Sequence, residues 1–513
     1  MERKRHQRPR LDDRGGAPPR RACRCRALDR RGPHGKPLHP GGRYGCGKYA
    51  KPRGARLSES SYGQVRYSRA PALASKCRIA CQGGGLRCGV CLCYPWVFAV
   101  PFSISRNQHP QRRIRRFDGE PARLLRELIE DTKDAVGDQC AVAVRYSVGG
   151  DDDEDPSLTN ERRDRLEMLA ELPDLWDINI NNYYQEMGVS RFIKEGSLEE
   201  HMSFVKSVTT KPVVTVGRFT SPDTMASQVK RGVVDFIGAA RPSIADPFLP
   251  RKIEEGRPEE IRECIGCNIC YTGDGLGVPI RCTQNPTMGE EWRRGWHPEF
   301  IAKKGSESNV LVVGAGPAGL EATRALGQRG YRVTLAEATR ELGGRVTRES
   351  RLPGLTEWQR VRDYRLQQID VMPNVEVFRE SELNVDEVLA VEADHIVFAT
   401  GAAWRADGFG RSHLHPLTTL SPGARILTPD DIMAGHLPDG PTVIFDDDSF
   451  YMGGVIAEQV RRANVPVSVV TPENVVSAWC EYTSEQYQVQ KHLLELGIEI
   501  KTAIVCSPTM VGR

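Results

Sequence analysis

The sequence predicts an α/β protein in which part of a TIM (β/α)8 barrel is followed by a Rossmann-like nucleotide-binding domain. Short apolar strands alternate with amphipathic helices over residues 121–260, a pattern typical of parallel βα units. A glycine-rich turn directly after a strand near residue 314 begins the second domain. Between them, residues 261–304 carry a group of closely spaced cysteines and a linker. The last domain, 305–513, contains an inserted lobe at about 441–500.

The barrel prediction depends on four strand–helix units. Strands are predicted over 140–147, 175–180, 213–218 and 234–241, and helices over 123–136, 162–172, 197–208 and 222–231. Four units make the C-terminal half of an eightfold barrel, whose active site lies at the C-terminal ends of the strands.

The last two predicted strands each end in a small residue followed by arginine. These pairs are Gly217-Arg218 and Ala240-Arg241. Backbone N–H groups beside a small residue, together with a guanidinium, suit a phosphate at the end of a barrel strand. The alternative is that both arginines are merely solvated where a loop begins.

Four cysteines in the linker have the spacing C-x2-C-x2-C-x11-C: Cys264, Cys267, Cys270 and Cys282. Three ligands on one tight loop and a fourth from a returning segment suit a [4Fe–4S] cluster. A structural zinc site would more often carry two separated C-x2-C pairs or a Cys/His mixture. Buried free cysteines or two disulfides are the remaining alternative.

A phosphate site next to an iron–sulfur motif suggests FMN as the electron donor to the cluster. Arg145, inside the first predicted strand, would then point toward the flavin ring. A cation there stabilises the negative charge of a reduced flavin.

The glycine-rich turn has the context that makes a dinucleotide fingerprint specific. Gly314, Gly316 and Gly319 follow a strand and begin a helix, and Glu337 lies about 20 residues later at the end of the next strand. Pyrophosphate is expected at the helix N-terminus and ribose hydroxyls at the glutamate. Further candidate contacts are Gly344, Arg345, Thr400 and Gly401. A Rossmann unit with an empty site is the alternative.

The inserted lobe also begins like a nucleotide fold, but its first loop differs. Where glycines would surround phosphate, residues 446–454 read Asp-Asp-Asp-Ser-Phe-Tyr-Met-Gly-Gly. Three carboxylates repel a pyrophosphate. We therefore predict that this lobe does not bind NAD(P)H.

Residues 1–120 contain arginine, proline, glycine and cysteine in an order that predicts no regular element. This composition favours an out-of-frame reading of GC-rich DNA over a basic arm, a second metal site or disorder. A similar break is expected after about residue 501. The net charge of +4 gives no indication of nucleic acid or membrane binding, and a cytoplasmic location is expected.

Residues from about 122 to 500 resemble the trimethylamine/dimethylamine dehydrogenase family, flavoproteins related to old yellow enzyme and 2,4-dienoyl-CoA reductase. The motifs are GAARPSIADPFLP (238–250), CIGCNIC (264–270), CTQN (282–285), GEEWRRGWHP (289–298) and LPGLTEWQRVRDY (352–364). The resemblance implies an FMN barrel, a [4Fe–4S] cluster, and ADP or FAD in the C-terminal domain.

The resemblance also implies a function and residue roles. It implies oxidation of a C–N bond of an N-methylated amine, electron transfer to an electron-transferring flavoprotein, and a homodimer. By position, Arg145, Gly217, Arg218, Ala240 and Arg241 match flavin contacts, the four cysteines match cluster ligands, and Glu186 matches an acidic active-site residue.

Two rival interpretations stay open. One is an NAD(P)H-dependent 2,4-dienoyl-CoA or enoate reductase, and the other is an inactive fragment. The family's active-site Tyr/His pair and its flavin-tethering cysteine have no assignable counterpart before residue 120. The aromatic residue that helps to bind a cationic amine in the family has no clear counterpart in 271–278.

Overall fold

The computed structural model describes residues 88–92, 122–149, 156–416 and 425–505, all within one unit of the chain. Three parallel sheets organise these residues. Within them, no helix is long and apolar enough to cross a bilayer.

The first sheet has five parallel strands in sequential order. They are β1 (Cys88–Leu92), β2 (Ala141–Ser147), β3 (Leu175–Asn179), β4 (Val213–Val216) and β5 (Phe236–Gly238). Its helices are α1 (Arg123–Val136), α2 (Pro156–Leu169), α3 (Tyr183–Glu186), α4 (Glu199–Met202), α5 (Val205–Val208), α6 (Pro222–Lys230), α7 (Ala240–Ala245) and α8 (Leu249–Glu254). A sheet with this strand order, with helices between successive strands, is an arc of a β/α barrel.

Two elements in this part differ from the sequence prediction. The helix expected over 197–208 is two short helices, α4 and α5. The strand expected over 234–241 ends at Gly238, and Arg241 lies in α7 instead. Pro242 follows within the first turn of α7, where the missing N–H has no helical acceptor to lose.

Strand β1 lies inside the segment for which the sequence predicts no regular element. Cys88–Leu92 pairs in parallel with β2, and Leu92 is the partner of Arg145 in the register. The five residues of this strand, Cys-Gly-Val-Cys-Leu, are too few to show the alternation of polar and apolar residues by which a strand is predicted. The other residues of 1–120 lie outside the described part of the chain.

Buried side chains between this sheet and its helices form the barrel core. Trp176 and Ile178 of β3 are fully buried there, together with Val144 of β2 and Leu166 of α2. The Trp176 indole donates to the carbonyl of Ala170 at 2.8 Å, so its polar atom is satisfied within the core.

The second sheet has the order β8-β7-β6-β9, which is a Rossmann arrangement. Its strands are β6 (Asn309–Val313), β7 (Arg332–Ala336), β8 (Val375–Phe378) and β9 (His395–Phe398), with helices α11 (Pro317–Arg329), α12 (Arg345–Glu349), α13 (Gln359–Asp370) and α14 (Val385–Ala390). The third sheet is the inserted lobe, with strands β10 (Thr442–Phe445), β11 (Val467–Val470) and β12 (Glu499–Lys501) and helices α15 (Pro429–Met433), α16 (Tyr451–Arg462) and α17 (Gln486–Glu495). Short 3-10 helices occur at Gly137–Gln139, Pro258–Glu260, Thr356–Trp358 and Ala478–Glu481.

The cysteine segment lies between the barrel and the Rossmann sheet, with helices α9 (Ile269–Leu276) and α10 (Glu291–Arg294). Buried Arg365 of α13 donates to the Gln284 side chain at 3.0 Å and pairs with Glu321 of α11 at 2.9 Å. Arg191 of the barrel forms a buried ion pair with Glu458 of α16 at 3.0 Å. These contacts hold the three parts of the described chain together.

Candidate functional site

Three charged side chains meet at the C-terminal edge of the barrel strands. Arg145 of β2 donates to Glu186 Oε1 at 3.1 Å and lies 3.6 Å from Asp177 Oδ2 of β3. Glu186 ends α3, a single turn whose N-cap, Asn182, accepts a hydrogen bond from the backbone of Gln185. The structure therefore brings two of the predicted residues, Arg145 and Glu186, into direct contact.

Burial controls the charge state of both carboxyl groups. It raises the pKa of Glu186, and Arg145 and a hydrogen bond from Asn179 oppose the rise. Burial also raises the pKa of Asp177, and Arg145 opposes it there too. One guanidinium thus lies beside two carboxyl groups, and the pKa of each stays above its usual value because burial outweighs the effect of Arg145.

Asp177 is a residue that the sequence analysis did not select. It is the partner of Arg145 in the parallel register of β2 and β3. The signal that could have found it is a charged residue in the middle of an otherwise apolar strand, Leu-Trp-Asp-Ile-Asn. Its position facing Arg145, however, follows only from the register.

The residues of the predicted phosphate site differ in burial and in their hydrogen-bond partners. Gly217 is buried at the end of β4, and Ala240 lies exposed at the start of α7. The Arg218 and Arg241 side chains are both buried. Arg241 donates to the carbonyls of Glu186 and Gly188, both at 3.0 Å, so its hydrogen bonds serve the loop after α3.

Arg218 also faces the cysteine loop. It donates to the carbonyl of Ile193, and a Cβ placed on Gly266 would lie 2.4 Å from its Nη1. Gly266 also has a φ of +64°. Both the positive φ and the close Arg218 side chain therefore favour glycine at this position. Arg218 and Arg241 were predicted as phosphate ligands, and the structure places their guanidinium groups against the cysteine segment.

The four predicted cluster ligands surround one small enclosed cavity. Its lining includes Cys264, Cys267, Cys270, Cys282 and Arg241. Burial raises the pKa of Cys267 to about 12 and that of Cys270 to about 11, and it also raises the pKa of Cys282. Thiols buried together become thiolates only when cationic metal compensates their charge, which is what an iron–sulfur cluster provides.

The four thiols have the donor chemistry of an iron–sulfur cluster. A [4Fe–4S] cube takes one thiolate at each of its four iron corners. Backbone N–H groups of Gln284 and Asn285 also donate toward Cys282, a common feature around cluster sulfurs.

Asn268, inside the cysteine motif, connects three parts of the chain. Its Oδ1 accepts from Arg241 at 2.6 Å, and its Nδ2 donates to the carbonyls of Met187 and, at 2.9 Å, of Thr483. Its backbone has a φ of +55°, a region in which asparagine is one of the few residues tolerated besides glycine. The sequence analysis did not select this residue.

The glycine-rich turn has the geometry that its sequence predicts. Gly314 has a φ of +99°, and a Cβ on Gly319 would lie 1.8 Å from the Gly314 carbonyl oxygen. Helix α11 can therefore approach β6 only without a side chain at 319. At Gly316, the N-cap of α11, an added Cβ meets nothing within 4 Å, so this backbone is open to a ligand.

The other predicted nucleotide contacts lie around the same turn. Glu337 Oε2 accepts from the Ala315 backbone N–H at 2.7 Å. A Cβ on Gly344 would lie 3.1 Å from Gly316 Cα. Three more residues are close to this turn or to its neighbour: Thr400 beside Gly314, Gly401 with a φ of +80°, and Arg345, which donates to the Ala402 carbonyl.

In the inserted lobe, a carboxylate packs against the glycines at the start of α16. Buried Asp446 accepts from the Ser449 backbone N–H at 3.0 Å, and a Cβ on Gly453 would lie 2.5 Å from Asp446 Cγ. The two glycines of the loop lie inside α16, which begins at Tyr451. They allow close packing and do not surround an anion.

Comparison of the sequence with known proteins identifies two matching family models and a similar enzyme. Residues 119–260 match the NADH:flavin oxidoreductase / NADH oxidase family, and residues 308–417 match the pyridine nucleotide-disulphide oxidoreductase family. Dimethylamine dehydrogenase of Hyphomicrobium sp. (strain x) is 38% identical over 431 residues, which cover 79% of this chain and 57% of that protein. The chain therefore matches a little over half of the length of that relative.

Two solved structures share this architecture. The 6-hydroxypseudooxynicotine amine oxidase of Pseudomonas geniculata N1 is 44% identical with a TM-score of 0.80, covering 89% of this chain and 70% of that one. Histamine dehydrogenase of Rhizobium sp. 4-9 is 45% identical with a TM-score of 0.79, covering 87% and 65%. The predicted fold, a partial TIM barrel followed by a Rossmann-like domain, is confirmed. The chain belongs to the family of FMN-dependent amine dehydrogenases.

Proposed function

We propose that the site at Arg145, Asp177 and Glu186 oxidises a C–N bond of an N-methylated amine. The reaction removes two electrons and two protons from the H–C–N–H unit, and water then releases an aldehyde and the smaller amine. When bound, FMN supplies the two-electron acceptor, and a [4Fe–4S] cluster supplies a one-electron outlet.

The observation that carries this proposal is the contact of Glu186 with Arg145 at the strand ends of a flavin-type barrel. A partly buried carboxylate attracts a cationic amine and can take the proton that the amine must lose. Arg145 holds this carboxylate in place and also supplies the positive charge that a reduced flavin needs. Asp177 holds the other side of the guanidinium.

The cofactors follow from the residues that could hold them. Cys264, Cys267, Cys270 and Cys282 would ligate the cluster, and Gly217, Ala240 and Arg145 would contact FMN. Gly314, Gly316, Gly319 and Glu337 would hold the ADP portion of ADP or FAD. Extraction of the bound nucleotide and its chromatographic identification decides between ADP and FAD.

Electron-transferring flavoprotein is the acceptor that we propose, with a homodimer as the assembly. The Asp446 carboxylate in the phosphate position of the inserted lobe supports an acceptor other than NAD(P)+. It likewise disfavours the rival reductase, which would need NAD(P)H to bind there.

Anaerobic stopped-flow spectroscopy of the purified chain, loaded with FMN and reconstituted with iron and sulfide, tests the proposal. We expect dimethylamine or an N-methylated glycine to bleach the flavin and NADH to leave it oxidised. Bleaching by NADH but not by amines would establish the reductase. Failure to retain stoichiometric FMN would favour the third interpretation, an inactive fragment.

A further inference from the structure

A second cavity, of about 360 Å3, lies between the cysteine loop, the Rossmann sheet and the inserted lobe. It shares Cys267, Ile269 and Thr283 with the small cysteine cavity, and its lining includes none of the residues proposed for amine oxidation. Its volume is in the range of cavities that bind small molecules. Of its lining residues, only Cys267 has a role in the reaction or cofactor sites proposed above.

Aromatic rings form much of its wall. Trp358 and Tyr451 contact each other with ring centroids 4.9 Å apart, and Trp404 and Phe450 also line the space. Aromatic faces carry negative potential and attract organic cations. Two of these rings, Phe450 and Tyr451, come from the loop that has lost its phosphate-binding glycines.

The charged residues of the wall are mostly acidic. Glu349, Asp448 and Glu485 line the cavity, and Arg191 is the one basic residue among its described lining residues. Glu349 accepts a hydrogen bond from the Tyr451 hydroxyl at 3.0 Å, so its carboxylate lies beside an aromatic ring. Burial raises the pKa of each of the three carboxyl groups, and a bound cation would relieve that cost.

Arg191 is a buried side chain of the wall with unused hydrogen-bond donors. Its side chain is only 4% exposed, and its Nη2 donates to Glu458. Its Nε and Nη1 have no acceptor among the described residues. Buried donors without acceptors are costly, and a ligand oxygen in this cavity could satisfy them.

We propose that this cavity binds a small organic cation, a tertiary or quaternary ammonium compound that also carries a hydrogen-bond-accepting oxygen. The ammonium group lies against the tryptophan and tyrosine faces and near the carboxylates. The oxygen accepts from Arg191. Because Cys267 borders both cavities, the ligand would lie next to the cluster and apart from Glu186.

Isothermal titration of the holoenzyme with choline tests this proposal. A quaternary ammonium has no N–H to oxidise, and the Glu186→Gln background weakens any binding at the amine site. We expect choline to bind this variant at one site, its uncharged isostere 3,3-dimethyl-1-butanol at least tenfold more weakly, and tetramethylammonium, which lacks the oxygen, with intermediate affinity. Equal affinity for choline and its isostere would overturn the proposal.

Variants locate the site. Glu349→Gln with Asp448→Asn keeps side-chain size, and we expect it to weaken choline binding at least tenfold. Glu495→Gln with Asp439→Asn removes the same charge from exposed positions and should leave the affinity unchanged. Equal weakening by both pairs would show only a general effect of charge and would contradict the assignment. If the first pair does not fold, the isostere comparison on the Glu186→Gln protein still decides. Because binding is measured and not turnover, a negative result here is distinct from failure of the amine dehydrogenase test.

Discussion

Glu186 and Arg145 form the contact on which the proposed chemistry depends, and they give the first prediction. Glu186→Gln keeps the shape of the side chain but cannot take up a proton. We expect the rate of flavin reduction by dimethylamine to fall by about 10²–10⁴-fold. Because burial raises the pKa of Glu186, the wild-type rate should decline on acidification while the pH is still above the usual glutamate range.

Stopped-flow measurement across pH checks both parts of this prediction. The Gln variant should lose that acidic limb. Glu200→Gln, in the nearby helix α4, serves as the matched control and should retain the wild-type rate. A Glu186→Gln protein with an unchanged rate and pH profile would remove Glu186 from the mechanism.

The cysteines give a second prediction at the residue scale. Single serine variants of Cys264, Cys267, Cys270 or Cys282 should lose most of the iron and labile sulfide that the reconstituted protein binds. Cys480→Ser is the control, because Cys480 is a buried free thiol that is absent from the small cavity. Loss of iron in the Cys480 variant as well would indicate general misfolding and not ligation.

At the scale of elements, the turn between β6 and α11 contains one glycine that is needed for close packing and another that leaves the backbone open to a ligand. Gly319→Ala places a Cβ against the Gly314 carbonyl oxygen, so we expect a loss of about 1–3 kcal/mol of unfolding free energy or more. Gly316→Ala meets no protein atom. It should fold normally and still retain less ADP or FAD.

Urea unfolding and nucleotide content measure these two quantities separately. If Gly316→Ala folds normally and retains as much nucleotide as the wild type, the open backbone at 316 is not a ligand surface.

The loop before α16 predicts an unusual dependence of stability on pH. Burial raises the pKa of Asp446 from 3.8 to about 6, so the folded protein keeps this proton while the unfolded chain loses it. The raised pKa therefore costs stability as the pH rises from about 4 to about 6, and the full cost, on the order of 3 kcal/mol, persists above that range. Asp446→Asn avoids the cost.

Urea unfolding at pH 4 and pH 7.5 checks this prediction. The Asn variant should match the wild type at pH 4 and be more stable at pH 7.5. Asp407→Asn provides a control of opposite sign, because its pairing with Arg405 lowers the pKa of Asp407 to about 2. That variant should lose stability at neutral pH. If the difference in unfolding free energy between Asp446→Asn and the wild type is the same at pH 4 and pH 7.5, the Asp446 carboxylate is not buried.

Sequence reasoning succeeded where a motif is local. The turn at Gly314–Gly319 and the cysteine loop are each encoded within about twenty residues, so spacing alone predicts their backbone. It did not find Asp177, whose role depends on its cross-strand pairing with Arg145. It assigned the Arg241 side chain to a phosphate, which stays a prediction, and it could not show that the 186–188 carbonyls lie beside this side chain.

At the scale of the molecule, Asn268 joins the barrel, the cysteine loop and the inserted lobe. Asn268→Gly preserves the positive φ but removes every side-chain hydrogen bond, leaving the Met187 and Thr483 carbonyls and Arg241 short of partners. We expect a loss of about 1–3 kcal/mol. Amide hydrogen exchange should increase near 186–188 and 482–485.

Hydrogen–deuterium exchange with mass spectrometry measures that increase peptide by peptide. Exchange in β7, at the centre of the Rossmann sheet, is the internal reference and should not change. Uniformly faster exchange over the whole chain would mean that the substitution destabilises the fold generally and does not uncouple particular parts.

The cavity of about 360 Å3 shows most clearly what the sequence could not predict. Its lining residues come from positions 189 to 485, and no pattern of spacing connects Cys267 with Trp404 or Asp448. That the three-carboxylate loop does not bind a phosphate stays a prediction. That it forms one wall of a new cavity follows only from the packing of α16 against its neighbours.

The environment of Asn268 has a consequence for modularity. A short cysteine loop is often treated as a portable ferredoxin-like cassette that can be grafted onto another scaffold. Here Arg218 and Arg241, which belong to the barrel, supply the positive charge beside the loop. The Asn268 side chain holds the loop to the carbonyls of Met187 and Thr483, more than 80 residues before it and more than 200 residues after it. A transplanted segment 264–282 would carry the thiols but leave its two guanidinium groups and its anchoring points behind.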